Sequence, residues 1–191
     1  MANRRKLKEM LDLTCEMWDD PWAFHYQNHE LADSETHSVF LAGPSSRQDI
    51  LEFKWRAYAV HYLRKAGFKG IIYVPEPREN DWSFKETFEE KIVAWESMRL
   101  LNTSMVMFWV PRHETQLPGR VTNTELGFCL GMAYANPDKF KDRMVFGCPP
   151  NAWKVKSEKH YSENIVGIKP FDNLQIMCEH VKAKLGSWMN Y

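Results

Sequence analysis

Residues 38–47 read Ser-Val-Phe-Leu-Ala-Gly-Pro-Ser-Ser-Arg: a short run without charge, a Gly-Pro break, two hydroxyls and a cation. A brief apolar segment closed by turn residues is the pattern of a strand buried on both faces. The next segment, residues 48–66, places Leu51, Trp55, Tyr58 and Tyr62 on one stripe and stops at Gly67, which predicts a helix. A buried strand that feeds a helix sets the grammar for the rest of the chain.

The same alternation recurs downstream. Gly70-Ile-Ile-Tyr-Val-Pro75 reads as a second strand, and residues 85–101 as a helix with Phe88, Ile92, Trp95 and Met98 on one side. Residues 104–110 are a third strand and residues 125–135 a helix. Arg143-Met-Val-Phe-Gly-Cys148 and Asn164-Ile-Val-Gly-Ile168 are expected as strands four and five, before a last helix over residues 173–185. Five strands with helices between them imply an α/β fold, a parallel sheet covered on both faces. Upstream, Leu7, Met10, Leu11, Cys15 and Trp18 fall at helical spacing and predict an amphipathic helix in search of a partner surface. The chain therefore divides into a helical extension, residues 1–36, and one domain, residues 37–191, with no linker, repeat or low-complexity segment.

Composition narrows the partners. Lys plus Arg and Asp plus Glu number 25 each, so no net field draws the protein to nucleic acid or to an anionic membrane. The basic start, Arg4, Arg5, Lys6 and Lys8, is interrupted by Glu9 and Asp12 before any apolar core of signal-peptide length, and no stretch approaches 18 apolar residues. The four cysteines lack metal-type spacing and read as reduced thiols. A soluble, cytoplasmic protein is expected. His25 and His29 are four apart but have no evident third ligand, so no metal is expected.

In parallel α/β sheets the ligand crevice lies at the carboxyl ends of the strands, where the strand order reverses. That rule selects Gly43, Pro44, Ser45, Ser46 and Arg47 after strand one, and Glu76 and Arg78 after strand two. After strand three it selects Arg112 and the run that leads through Asn123 to Glu125. The first loop is not G-x-G-x-x-G, so no nicotinamide or flavin cofactor is expected. Ser45, Ser46 and Arg47 either bind an anion where backbone N–H groups converge or only cap the helix.

Glu125 carries two readings of its own. Thr122-x-x-Glu125 fits a capping box, in which the hydroxyl and the carboxylate satisfy orphan N–H donors at a helix start. Alternatively it is one of two carboxylates, with Glu96 beside Trp95 as the other, of the kind glycosyl transfer requires, about 5 to 5.5 Å apart in a retaining mechanism. The bland alternative for Glu96 is a solvent-facing helix residue. Trp82 and Trp109 are aromatic faces on which a base could stack.

Val39-Phe-Leu-Ala-Gly-Pro44, Trp55-Arg56, Val74-Pro-Glu-Pro-Arg78, Trp95-Glu96, Phe108-Trp-Val-Pro-Arg112 and Thr122-Asn-Thr-Glu-Leu-Gly127 follow in order. Together they resemble the nucleoside 2-deoxyribosyltransferase-like family over residues 38 to about 150. The resemblance implies a Rossmann-like, flavodoxin-like sheet and an enzyme that cleaves the N-glycosidic bond of a (deoxy)nucleoside or nucleotide through a covalent sugar ester. It implies that Glu125 is the nucleophile, and that Glu96 falls at or beside an acidic position that contacts substrate. It further implies a homo-oligomer whose neighbouring subunit helps close the pocket. The chain departs from the pattern at Gly119, where better-known members carry an Asp that binds the sugar; Asn123 or Thr122 is then left to take over that contact. Cap and nucleophile are compatible roles, because first-turn N–H groups and the helix dipole would favour an ionised Glu125. A catalytically silent nucleotide-binding module that kept the pocket is the alternative.

Overall fold

The computed structural model describes residues 16–17, 19–21, 23–25, 37–45, 54–77, 82–83 and 89–188. Within them one parallel sheet runs in the order β1-β3-β2-β4-β5. Its strands are β1 Ala23–Phe24, β2 Ser38–Ala42, β3 Ile71–Tyr73, β4 Met105–Trp109 and β5 Met144–Gly147. The longer helices are α1 Trp55–Lys65, α2 Glu89–Asn102, α3 Arg120–Ala135 and α4 Leu174–Trp188.

Side chains alternate across the pleat, and each face has its own core. Val39 and Leu41 of β2, with Met105, Met107 and Trp109 of β4, pack with Trp55, Val60 and Leu63 of α1 and Met177, Val181 and Leu185 of α4. Phe40 and Ala42, with Val106 and Phe108, pack with Ile92 and Trp95 of α2 and Leu126 and Leu130 of α3. Every residue of β2, β3, β4 and β5 is buried, as a sheet covered on both faces requires. The α/β fold read from the sequence is therefore the fold observed.

One strand differs. Residues 164–168, expected as strand five, instead follow a short helix, Lys156–His160, into a wide π-type turn, Tyr161–Val166. Gly167 ends that turn with a left-handed φ of 74°. Ser162 Oγ donates to the Ile168 carbonyl at 2.6 Å, and the Ile168 N–H donates to the Ser162 carbonyl at 2.8 Å, so the segment closes on itself. A five-residue apolar run does not by itself distinguish a strand from a buried helical segment. The fifth strand is β1, on the opposite edge beside β3, and it comes from the extension. The amphipathic stripe from Leu7 to Trp18 lies outside the described residues. Three described residues of this region rest on α1: Met17 is buried in the same core, Glu16 meets His61 at 3.1 Å, and Asp20 takes Arg64 at 2.6 and 3.0 Å.

No helix among the described residues is long and apolar enough to cross a membrane. Nor do three His, Cys, Asp or Glu side chains among them gather as a metal ion would require. Cys129, Cys148 and Cys178 are free, buried thiols.

Gly43 shows how tightly the end of β2 is fitted to β4. A Cβ there would lie 2.2 Å from the Trp109 carbonyl oxygen and 2.7 Å from the Trp55 ring. Gly43→Ala is expected to cost about 1–3 kcal/mol and to lower the melting temperature by roughly 3–10 °C. At Gly127, inside α3, an added Cβ meets nothing within 4 Å. Gly127→Ala is expected to raise stability by roughly 0.5–1 kcal/mol. Thermal unfolding followed by circular dichroism checks both.

Candidate active site

The chain passes from β2 outward to β3 and then returns to the other side of β2 as β4. The order thus reverses between β2 and β4, where a crevice must open at the carboxyl ends of the strands. A cleft of about 240 Å³ occupies that place. Phe40, Ala42, Gly43, Pro44 and Ser45 form its β2 wall, Pro75 its β3 side, and residues 118–122 with Glu125 its β4 side. Glu96 of α2, Trp82 and Arg56 complete the lining.

Arg56 organises the β2 wall from beneath. It is among the most deeply buried side chains, and its guanidinium collects oxygens at the end of β2 and in the loop after it. Nε donates to the Leu41 carbonyl at 3.0 Å, Nη2 to the Gly43 carbonyl at 2.6 Å, and Nη1 to Ser45 Oγ at 2.9 Å. Nη1 also meets Glu76 Oε1 at 2.9 Å, and the Trp55 ring lies 4.5 Å away. Trp55 Nε1 donates to the Pro44 carbonyl at 2.9 Å. The loop that forms one side of the cleft is therefore held by a planar donor set whose charge is balanced by Glu76.

The capping-box reading of Thr122 and Glu125 fails. α3 begins at Arg120, its N-cap is Gly119 with φ 64°, and no side chain among the described residues caps it. Thr122 is the third helical residue and is buried; Glu125 is the sixth, beyond the first turn where orphan N–H groups and the dipole act. A left-handed N-cap glycine starts this helix five residues before the position that the sequence suggested. Glu125 is thus a half-buried side chain facing the cleft from the second turn of α3, and it shares the cleft with Glu96 of α2. Its carboxylate also acts on Cys129, one turn on: burial first, and then this negative charge, push the Cys129 thiol up to about 12.

The remaining candidates separate into three groups. Gly43, Pro44, Ser45 and Trp82 line the cleft with the two glutamates. Glu76, Trp109, Arg112 and Asn123 do not. Glu76 is buried against Arg56, and its own carbonyl lies 3.1 Å from His25 Nδ1. Trp109 is a core side chain rather than a face for a base, and Arg112 Nη2 donates to Asn123 Oδ1. Asn123 faces a different groove, with Tyr134 and Tyr161. Ser46, Arg47 and Arg78 lie outside the described residues. The sequence reading missed Arg56, Pro75, Arg120 and Val121 as cleft residues. For Arg56 the available signal was its place in the Trp55-Arg56 motif one helical turn from the crevice; a cation on a buried stripe needs a buried acceptor set.

An α/β sheet with a crevice at its switch point, bordered by two carboxylates from separate helices, defines the class. Residues 36–150 match the family model described as "Nucleoside 2-deoxyribosyltransferase like", and the chain belongs to that family. No curated protein matches it.

Because Arg56 and Glu76 are both almost wholly buried, removing one strands the other. Arg56→Met is expected to cost about 3–5 kcal/mol, measured by denaturant unfolding, and to disorder the wall formed by residues 43–45.

Proposed function

We propose that the protein cleaves or transfers at the N-glycosidic bond of a (deoxy)nucleoside or its 5′-monophosphate through a covalent glycosyl ester on Glu125. The observation that supports this reading is the meeting of Glu125 and Glu96 in one cleft at the switch point of a chain belonging to this family. A Glu125 oxygen attacks the anomeric carbon while the bond from that carbon to the base nitrogen breaks. The bonding pair leaves with the base, which gains a proton, and Glu96 orients the sugar or manages that proton. Attack by water or by a second base on the same carbon then frees Glu125, and two displacements retain configuration. Trp82 stacks the base; Gly43, Pro44 and Ser45, with Ser46 and Arg47, hold the sugar end. No cofactor or metal takes part, and neither nucleic acid nor a membrane is a partner of this cytoplasmic activity.

A second copy of the chain closes the cleft in this reading. Val121 and Phe128 on α3 are 65% and 50% exposed, and with Val93 and Leu101 of α2 they border an apolar groove that shares Glu96, Val121 and Glu125 with the cleft. A subunit seated there would cover both the apolar surface and the substrate. Light scattering at micromolar concentration is expected to give a dimer or larger, and Phe128→Glu a monomer with at least tenfold lower turnover. A monomeric wild type would remove this part.

The alternative, a silent nucleotide-binding module, draws support from Gly119, where better-known members carry a sugar-binding Asp. Chromatography of free base, after incubation with a panel of nucleosides and 5′-monophosphates, separates the two. Glu125→Ala is expected to lower base release by several orders of magnitude while melting within a few degrees of wild type. Mass spectrometry of quenched wild type is expected to find a sugar adduct on the Glu125 peptide. Folded Glu125→Ala that keeps its activity would refute the mechanism.

A further inference from the structure

Thr122 carries a hydroxyl to which the fold offers nothing. It is the third residue of α3, is 3% exposed, and lines the cleft. A hydroxyl inside a helix usually bonds the carbonyl one turn back, as Ser97 does to Val93 and Thr103 to Arg99. For Thr122 the residue one turn back is Pro118, which precedes the helix, and the Gly119 carbonyl already accepts from the Asn123 N–H at 3.1 Å. Among the described residues the Thr122 hydroxyl therefore has no partner.

Ser45 faces the same cleft from the β2 wall, and its polarity is fixed. A guanidinium only donates, so Arg56 Nη1 at 2.9 Å makes Ser45 Oγ the acceptor and leaves the hydroxyl hydrogen to point elsewhere. No acceptor among the described residues takes it. The chain from Arg56 through Ser45 thus ends in a donor, strengthened by the charge behind it. The two walls come close here: a Cβ on Gly119 would lie 3.5 Å from Pro44 Cβ and 3.7 Å from Thr122 Cβ. Both unspent hydroxyls therefore belong to one end of the cleft.

We propose that these two hydroxyls read the sugar: Thr122 bonds the 3′-hydroxyl, and Ser45 donates to another sugar oxygen on the facing wall. This rests on reading the cleft as the substrate pocket, and within it selects nucleosides that carry a free 3′-hydroxyl. Thr122 stands three residues before Glu125, a neighbour on the helix surface about 4.5 Å back along the axis. That offset suits a sugar ring whose anomeric carbon faces Glu125. A 2-deoxy sugar keeps one ring hydroxyl, on the carbon two bonds from the anomeric centre, and this is the group within reach. A threonine hydroxyl donates and accepts, as a sugar hydroxyl does, so the pair can bond in either sense. Asn123, the next residue, has no part in the contact, because Oδ1 accepts from Arg112 and the side chain lines a different groove.

Calorimetric titration tests this in a Glu125→Gln background, chosen so that no nucleoside is consumed. The probes are 2′-deoxyadenosine, thymidine and their 5′-monophosphates, each paired with its 2′,3′-dideoxy counterpart. The parent is expected to bind the 3′-hydroxyl compound of a pair roughly three- to tenfold more tightly, the worth of one neutral hydrogen bond. Thr122→Val keeps the shape and is expected to bring that ratio to about one, while Thr122→Ser keeps most of it; should Thr122→Val not fold, Thr122→Ala decides. Without ligand, Thr122→Val is expected to melt no lower than its parent, since the hydroxyl has no bond in the protein to lose. Ser45→Ala is expected to weaken both members of a pair alike. Equal binding of the pairs by the parent, a ratio that survives loss of the Thr122 hydroxyl, or no binding of any probe would overturn the proposal, and unchanged binding by Ser45→Ala would overturn its Ser45 half. A ratio that follows the Thr122 hydroxyl, with no base released by wild type from any nucleoside, would leave the contact standing and sink the catalytic reading.

Discussion

The buried pair of Arg56 and Glu76 is the interaction on which the site depends. A parallel strand that ends at a crevice leaves carbonyl groups with no ladder partner, and the crevice must stay open, so no further strand can satisfy them. Arg56 answers the Leu41 and Gly43 carbonyls and Ser45 Oγ with one rigid fork, and Glu76, from the end of the neighbouring strand, makes that charge tolerable inside the protein. One ion pair therefore joins the loops after β2 and β3 and fixes the wall against which any ligand must lie. The close approach of Gly43 to the Trp109 carbonyl extends the same constraint to β4, because a side chain there would part the two strands that flank the crevice.

Around this fixed wall the two carboxylates stand on separate supports. Glu125 is carried by α3, whose inner face is anchored by Leu126, Cys129, Leu130 and Ala133. Glu96 is carried by α2, beside the buried Trp95. Both helices pack on the same face of the sheet, so the relation between the carboxylates is set by the core beneath them and not by a loop. Next to the cleft the outer surfaces of these helices are apolar, at Val93, Leu101, Val121 and Phe128.

Much of the fold was legible because its central strands are continuous apolar runs and its helices carry a clear stripe. The fifth strand was not. Ala23 and Phe24 are two residues whose pairing with β3 depends on a tertiary neighbour, while residues 164–168 have the composition of a strand but are claimed by a local bond from Ser162 and a left-handed Gly167. The crevice rule found the β2 loop and Glu125, since position along the chain sufficed, while Glu96 followed from the need for a second carboxylate. It could not tell which of the residues after a strand point outward. Glu76 and Arg112 look alike in sequence as polar residues after Pro-rich strand ends, yet each is turned inward to a buried partner. Thr122 and Glu125 misled in another way: a capping motif is local, and the start of α3 is fixed instead by the left-handed backbone at Gly119.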